Sequence, residues 1–461
     1  MPGGIPRARR FLLWILTLAM PAASLFGQAE KLTLERAISI AIESNPNLEA
    51  SRLEVDRSDA RVREAWGTAL PRIDLTANYT RALKKPVFFL PDFTNPGSNE
   101  IIPIEIGATH SVDMIFSAEQ VLFDAAIFIG VGAAKTYSRA AREGFRASQL
   151  DVVTNTKNAF YGVLVAKEVV VLMQENIQYS EENLKNVRIL FDQGLVSEYD
   201  RLRAEVTVEN IRPELINAEN AYLVAVNNLK NAIGIPYNTD IDVDGRLEYD
   251  PVPDSLITEA QDAVLRSNAS LSALKLQAEV NDAITSAQRS YYLPRLSAFG
   301  NYTYQGQKNA FTLSTNDFIT SAVIGLNLKL NIFEGFQTNS RVEQAELEYR
   351  QTREQITSLE LALHTATETA ILEMNKARQR IESQGRTVEQ AEKGHKIATA
   401  RYNSGQGTQL EVNDAQLALA TAKVNRIEAI FEYRIAVNEL ERLLGRLPQF
   451  VIALEQEGES K

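Results

Sequence analysis

The 461 residues include no cysteine. Thiolate catalysis, Cys-ligated zinc and disulfides are therefore excluded. Three histidines and five methionines leave little material for a soft-metal site. Positive charge is also scarce, with 48 Lys and Arg against 59 Asp and Glu, a net −11. A nucleic-acid binder needs a basic footprint, so that class is set aside. There is no glycine-rich phosphate loop, metal-ligand cluster or nucleophile motif, and His110, His364 and His395 are scattered. Neither an enzyme nor a cofactor is expected. Beyond the N-terminal segment, no apolar run approaches the roughly 20 residues of a membrane-spanning helix. Proline is missing between Pro103 and Pro213, and again between Pro294 and Pro448.

The chain opens on Arg7, Arg9 and Arg10, then the apolar run Phe11 to Met20, then Pro21-Ala22-Ala23-Ser24. A basic head, a short apolar middle and small residues read as a signal peptide over residues 1–29, cut after Ser24 or Ala29. Losing those three arginines takes the net charge from −11 to −14. The mature protein is expected to be exported and to lack a spanning helix.

The rest of the chain carries one pattern twice. Asn45, Leu48, Ala50, Leu70-Pro71-Arg72 and Tyr79 recur 223 residues later as Asn268, Leu271, Ala273, Leu293-Pro294-Arg295 and Tyr302. Phe191-Asp192-Gln193-Gly194 recurs at an offset of 211 as Tyr402-Asn403-Ser404-Gly405, and Gly234 as Gly445. Phe123-Asp124 matches Phe333-Glu334 at 210, so the first half carries 13 extra residues after Tyr79. They fall in the Pro-rich stretch Lys85 to Pro103, which reads as a surface loop. The expected layout is a first repeat over 30–235, an acidic linker over 236–253, a second repeat over 254–447 and a tail over 448–461. In the linker, Asp240-x-Asp242-x-Asp244-Gly245 resembles a calcium loop only superficially, because Pro251 stands where the terminal Glu belongs.

Each half reads as helix, strand, loop, strand, very long helix, turn, long helix. The first helix opens at Thr33, breaks at Asn45-Pro46, resumes to Ala69 and stops at Leu70-Pro71. Period-two alternation comes next. Ile73, Leu75, Ala77 and Tyr79 interleave with Asp74, Thr76, Asn78 and Thr80. Val112, Met114, Phe116 and Ala118 interleave with Asp113, Ile115, Ser117 and Glu119. In the second half, Leu296 to Thr303 and Ser321 to Leu330 repeat the pattern. One mostly apolar face and one mostly polar face suit either a strand crossing an outer membrane or half of a soluble sheet. Helical pattern then runs from Ala125 to about Leu190 and from Gly335 to about Arg401. At 1.5 Å per residue each spans about 100 Å. The apolar stripe is thin and Ala-rich, which fits a wall wetted on both sides or a long coiled coil. Pro213, aligned with Val424, is expected to kink the first returning helix.

Four strands cannot close a barrel, and an open edge in lipid leaves backbone groups unpaired at several kcal/mol each. Two copies give eight strands and three give twelve. Only the larger ring leaves a wet lumen, so a homotrimer is favoured.

Taken together, the signal peptide, the duplicated unit, the paired Leu-Pro-Arg motifs and the two turn segments resemble the TolC family of outer-membrane efflux and secretion channels. The turn segments are Phe191 to Ser197 and Tyr402 to Thr408. The likeness covers about residues 31 to 447. It implies an α+β membrane protein: a trimeric twelve-stranded outer-membrane β-barrel, four strands per chain, continued by a long α-helical barrel in the periplasm. It implies a passive exit channel of a tripartite pump for small molecules, or alternatively the duct of a type I protein secretion system. A periplasmic adaptor and an inner-membrane pump are the implied partners, with outer-membrane lipid around the barrel and no nucleic acid. A periplasmic coiled-coil protein without a barrel is the reading from another class, and the four alternating strands argue against it.

The resemblance also places the turns at a periplasmic gate. Gly194, Leu195 and Ser197, with Gly405, Gly407 and Thr408, would form the tips where an adaptor docks. Gly194 and Gly405 suit a reversal through positive φ, and Ser197 and Thr408 suit helix capping. Asp200, Tyr402, Glu411 and Asp414 are the implied gate residues. Glu411 and Asp414 are three apart and share a helical face. Acidic groups there are also favoured by the helix dipole alone. Threefold symmetry would gather six such carboxylates, whose field favours cations. Gly407 departs from the family, since some members carry a gating arginine there. That leaves Arg201 or Arg203 to replace it, or nothing.

Overall fold

The computed structural model describes residues 31–91, 101–312 and 314–453. The expected signal peptide and the last part of the expected tail lie outside the described residues. In chain order the elements are β1 (Lys31–Leu32), α1 (Leu34–Ser44), α2 (Pro46–Gly67), β2 (Arg72–Arg81), β3 (Val87–Pro91), β4 (Ile101–Glu105), β5 (His110–Phe123), α3 (Ala125–Asp192) and α4 (Glu198–Ile233). Next come β6 (Asp242–Val243), α5 (Asp254–Ser267), α6 (Ala269–Arg289), β7 (Arg295–Lys308), β8 (Phe318–Lys329), α7 (Gln337–Asn403) and α8 (Gln409–Leu443). Two compact units emerge. One combines Thr156–Glu248 and Val388–Phe431 with the chain up to Glu43. The other combines Ser44–Asn155, Tyr249–Thr387 and the chain from Glu432.

In the second of these units, α2 begins where the Asn45 side chain accepts from the N–H groups of Asn47 and Leu48, with Pro46 in the first turn. Its counterpart α6 begins the same way, Asn268 accepting from Leu271 N–H at 3.0 Å. The Asn268 amide also donates to the Leu443 carbonyl at 3.1 Å, which ties α6 to the end of α8. Val264, Leu271, Ile356, Leu363, Leu440 and Leu443 form the buried cluster that joins α5, α6, α7 and α8.

The four long strands make one antiparallel sheet in the order β2-β5-β7-β8. The register carries the sequence alternation across all four strands. Leu75 stands opposite Phe116, Phe116 opposite Tyr302 and Tyr302 opposite Ala322. On the other face Thr76 meets Ile115, Ile115 meets Thr303 and Thr303 meets Ser321. Because the side-chain period is two, this register gives the sheet one largely apolar face and one largely polar face. A bulge between Val121 and Phe123 ends β5, and a single residue, Asp124, leads into α3. Its carboxylate accepts from Ala126 N–H at 2.9 Å. Among the described residues, strands β2 and β8 each have one unpaired edge within the chain.

The stretch from Lys85 to Pro103 is not simply a loop. Its described parts form the antiparallel ribbon β3–β4, with Phe88 opposite Ile104 and Phe89 opposite Pro103. In a two-stranded ribbon every strand is an edge, so Pro91 and Pro103 can face their missing N–H outward. Pro213 lies inside α4 without ending it.

In the other unit, β1 and β6 pair in parallel, Leu32 beside Val243. Two aspartates of the acidic linker pair with lysines: Asp242 with Lys167 and Asp244 with Lys31, each at 3.7 Å. No group of three or more potential metal ligands occurs among the described residues. Helix α1 buries Ala37, Ile38 and Ala41 along one face.

Two glycines in the sheet admit an aromatic from the neighbouring strand. A Cβ on Gly325 would lie 2.8 Å from the ring of Phe299, and one on Gly306 would lie 2.8 Å from that of Phe318. Each pair is directly opposite in the register. Gly325→Val should therefore destabilise the β7–β8 pairing by about 1–3 kcal/mol through overpacking. Pairing it with Phe299→Ala should recover most of that loss. The urea unfolding midpoint in detergent checks both.

Candidate functional site

The two helical hairpins, α3–α4 and α7–α8, reverse through the same backbone geometry. At the first tip Gly194 has φ 71°, its N–H reaching the Phe191 carbonyl at 2.8 Å and that of Leu195 reaching Leu190 at 2.9 Å. At the second, Gly405 has φ 73°, with Gly405 N–H on Tyr402 at 3.0 Å and Gln406 N–H on Arg401 at 2.9 Å. These paired bonds satisfy the last carbonyls of each long helix, and positive φ makes glycine the fitting residue. The motif returns where α4 and α8 end, at Gly234 and Gly445 with φ 77° and 65°. Gly407 sits in a tight place for a different reason. A Cβ there would lie 3.1 Å from both Arg401 Cβ and Tyr402 N. Leu195 projects from the first tip, 68% exposed.

The returning helices begin differently. Ser197 caps α4 in a closed capping box, its hydroxyl accepting from Asp200 N–H at 3.2 Å. The Asp200 carboxylate accepts from Ser197 N–H at 3.2 Å and from its hydroxyl at 2.6 Å. Thr408 accepts from Glu411 N–H at 3.3 Å, but the Glu411 carboxylate pairs with Arg401 at 3.5 Å instead of closing a box. Asp200 and Glu411 thus occupy equivalent positions with different work to do. Asp414 is exposed and makes no ion pair among the described residues.

Tyr402 belongs to the same neighbourhood as Asp200. Its hydroxyl is buried and has no hydrogen-bond partner among the described residues. Burial, and then the charge of Asp200, push its phenol pKa above the ordinary 10.0. More buried polar atoms without partners lie near this end: His395 Nε2, Gln409 Oε1 and Asn413 Nδ2. His395 packs edge-on against Tyr179 at 5.0 Å. Burial there, and then Lys423, push its imidazole below the ordinary 6.5.

A further charged group, absent from the sequence-based candidates, organises the first tip. Glu205 accepts from Arg188 across the hairpin at 2.9 Å and from Arg201 on its own helix at 3.1 Å. Arg201 also lies over the Phe191 ring at 5.2 Å, while its Nε is buried without a hydrogen-bond partner among the described residues. Helix spacing exposes the Arg201–Glu205 pair in the sequence. Arg188 is found only by counting outward from the turn, because facing positions of an antiparallel hairpin lie equally far from it. The same count pairs Glu181 with Arg212, at 3.0 Å.

An open amphipathic sheet, carried in one chain with two hairpins of very long helices, defines a wall segment of an outer-membrane channel. The chain belongs to the outer membrane efflux protein family, whose sequence profile matches residues 37–235 and 261–446. It is similar to the outer membrane protein TolC of Salmonella enteritidis, 24% identical over 447 residues, covering 95% of this chain and 87% of that one. It is also similar to the cobalt-zinc-cadmium resistance protein CzcC of Cupriavidus metallidurans, 24% identical over 421 residues, covering 91% of each. Among solved structures, the Campylobacter jejuni CmeC outer membrane channel matches with a TM-score of 0.73 at 16% identity, over 89% of this chain and 85% of that one. The protein is an outer-membrane exit channel of the efflux type, with its helices in the periplasm.

The two arginines give the tip a pH signature. The Arg188 hydrogen bond first, then the charges of Arg201 and Arg188, hold the Glu205 carboxyl below its ordinary 4.5. A depressed folded-state pKa contributes stability above the unfolded value, lost as pH falls through the folded one. Hydrogen-exchange protection at the α3–α4 tip, corrected for intrinsic rate, should decline below pH 4.5. Glu205→Gln should lack that decline and start from lower protection at pH 7.

Proposed function

We propose that three copies of this chain close one twelve-stranded barrel and one helical tube, through which small molecules leave an efflux pump passively. The observation that carries this reading is the pair of open edges, β2 and β8, on a sheet with a lipid-compatible face. Neither edge can stay unpaired in hydrocarbon. The edge of one copy can be completed by the opposite edge of the next. A second feature agrees. Along α4, Tyr199, Leu202, Val206, Ile216 and Leu223 are apolar and exposed within the single chain. Their spacing makes a stripe of the kind that a neighbouring helix covers.

In this reading the two sequence halves are repeats that contribute two strands and one hairpin each. Asp200, Tyr402, Glu411 and Asp414 line the periplasmic gate. Asp200 holds the first tip in shape and raises the cost of ionising Tyr402, while Glu411 and Asp414 supply the negative charge. Gly194, Leu195, Ser197, Gly405, Gly407 and Thr408 present the two tips to a periplasmic adaptor of the pump. Energy comes from the inner-membrane pump, and the channel itself does no chemistry.

Two measurements test the proposal. Solubilised from outer membranes, the chain should run as a trimer in detergent, and a folded monomer that needs no detergent would overturn the shared barrel. In planar bilayers, Glu411→Ala with Asp414→Ala should weaken cation preference several-fold at low salt, where the field of a charged ring is least screened. Unchanged selectivity would remove both residues from the gate.

A further inference from the structure

The end of the sheet away from the helices carries a row of basic residues on its apolar side. The register sets Arg81 opposite His110, and His110 opposite Lys308. All three share the face of Tyr79, Val112 and Gly306, which is the largely apolar one. An aromatic cluster lies among and beside them. The Tyr79 hydroxyl lies 2.7 Å from His110 Nδ1, Phe311 packs edge-on against both rings, and Tyr304 stacks on Phe318 at 4.3 Å. Aromatic belts mark the level of the membrane–water interface. The basic row therefore sits at head-group depth on the outer side.

Lys84 and Lys85 follow Arg81 in the chain just past the end of β2. The segment that holds them is fastened down, because Asn309 Oδ1 accepts both from Lys85 Nζ at 2.8 Å and from Thr109 N–H at 3.1 Å. Ala82 N–H also reaches the Thr109 carbonyl at 2.9 Å. Asp317 neutralises Lys308 at 2.9 Å. Arg81 and Lys84 make no ion pair among the described residues and are exposed. Exposed cations next to an apolar aromatic surface suit a ligand with negative charge above and apolar chain below. A second copy of the chain or a soluble partner would satisfy only one of these two needs.

We propose that this rim is a binding site for phosphate-bearing lipid of the outer leaflet. The phosphates engage Arg81, Lys84 and Lys85, and the acyl chains lie along the face that begins at Tyr79. The site rests on the outer-membrane placement of the sheet and is independent of the gate and of the adaptor.

The test uses the full channel, extracted from outer membranes and delipidated in detergent. Its melting temperature is followed while diphosphoryl lipid A is added, and in parallel the same lipid with its phosphates removed. The phosphorylated lipid should reach half-saturation at a concentration at least fivefold lower. Arg81→Gln with Lys84→Gln and Lys85→Gln should abolish that preference, whereas Lys329→Gln at the opposite end of the sheet should keep it. Equal half-saturation for the two lipids overturns the site. So does a preference that survives in the triple variant, or an equal shift from inorganic phosphate alone. If the triple variant does not assemble, the two-lipid comparison on the unaltered channel and the single Lys84→Gln variant still decide. A chain absent from the membrane fraction would instead overturn the placement of the sheet.

Discussion

Hydrocarbon offers nothing to hydrogen-bond with, and that one fact organises this protein. Four strands pair three times, leaving β2 and β8 each with a free edge. Unpaired backbone groups in lipid cost several kcal/mol apiece. A single chain is therefore an incomplete object wherever its sheet meets the membrane. The apolar face continues across the register from Leu75 through Phe116 and Tyr302 to Ala322, which suits completion within lipid. The exposed apolar residues of α4 raise the same requirement away from the membrane.

The hairpin tips obey a different logic, in which nearly every polar group is assigned. Ser197 and Asp200 close a capping box, Glu205 is held by two arginines, and Glu411 faces Arg401. The exposed ion pairs are individually worth little. Their value is positional, since they fix which residue of one helix faces which residue of the other. Against this background the buried hydroxyl of Tyr402 and the unpartnered atoms of His395, Gln409 and Asn413 are exceptions. Buried polar atoms left unpaired are costly, and these lie toward the end of the hairpins where the channel is proposed to open.

Much of this is legible in the residues themselves. Side-chain alternation decides which face of each strand is apolar, and the register needs only to align four such patterns. The long proline-free stretches set the helices within two or three residues, ending at Asp192 and Asn403. Gly194 and Gly405 announce the turns because L-residues resist positive φ. The ribbon β3–β4 is hidden by its own prolines, which argue for loop unless the strand has a free edge to face them outward. The capping role of Asp200 is legible in the Ser-x-x-Asp spacing, yet the proximity of its charge to Tyr402 is not, because those residues come from different hairpins. Arg188 escapes notice for a similar reason: its partner lies on the far side of a turn, and no periodicity within one helix points to it.

That facing relation makes each turn a ruler. Arg188 meets Glu205 and Glu181 meets Arg212 because both pairs are centred on the same turn. Arg401 meets Glu411, and Arg380 meets Glu432, about the second turn in the same way. Adding or deleting a single residue in either turn would slide one helix past the other and uncouple every such pair at once. The count of residues between each long helix and its return thus holds these pairs in register as firmly as their identity does.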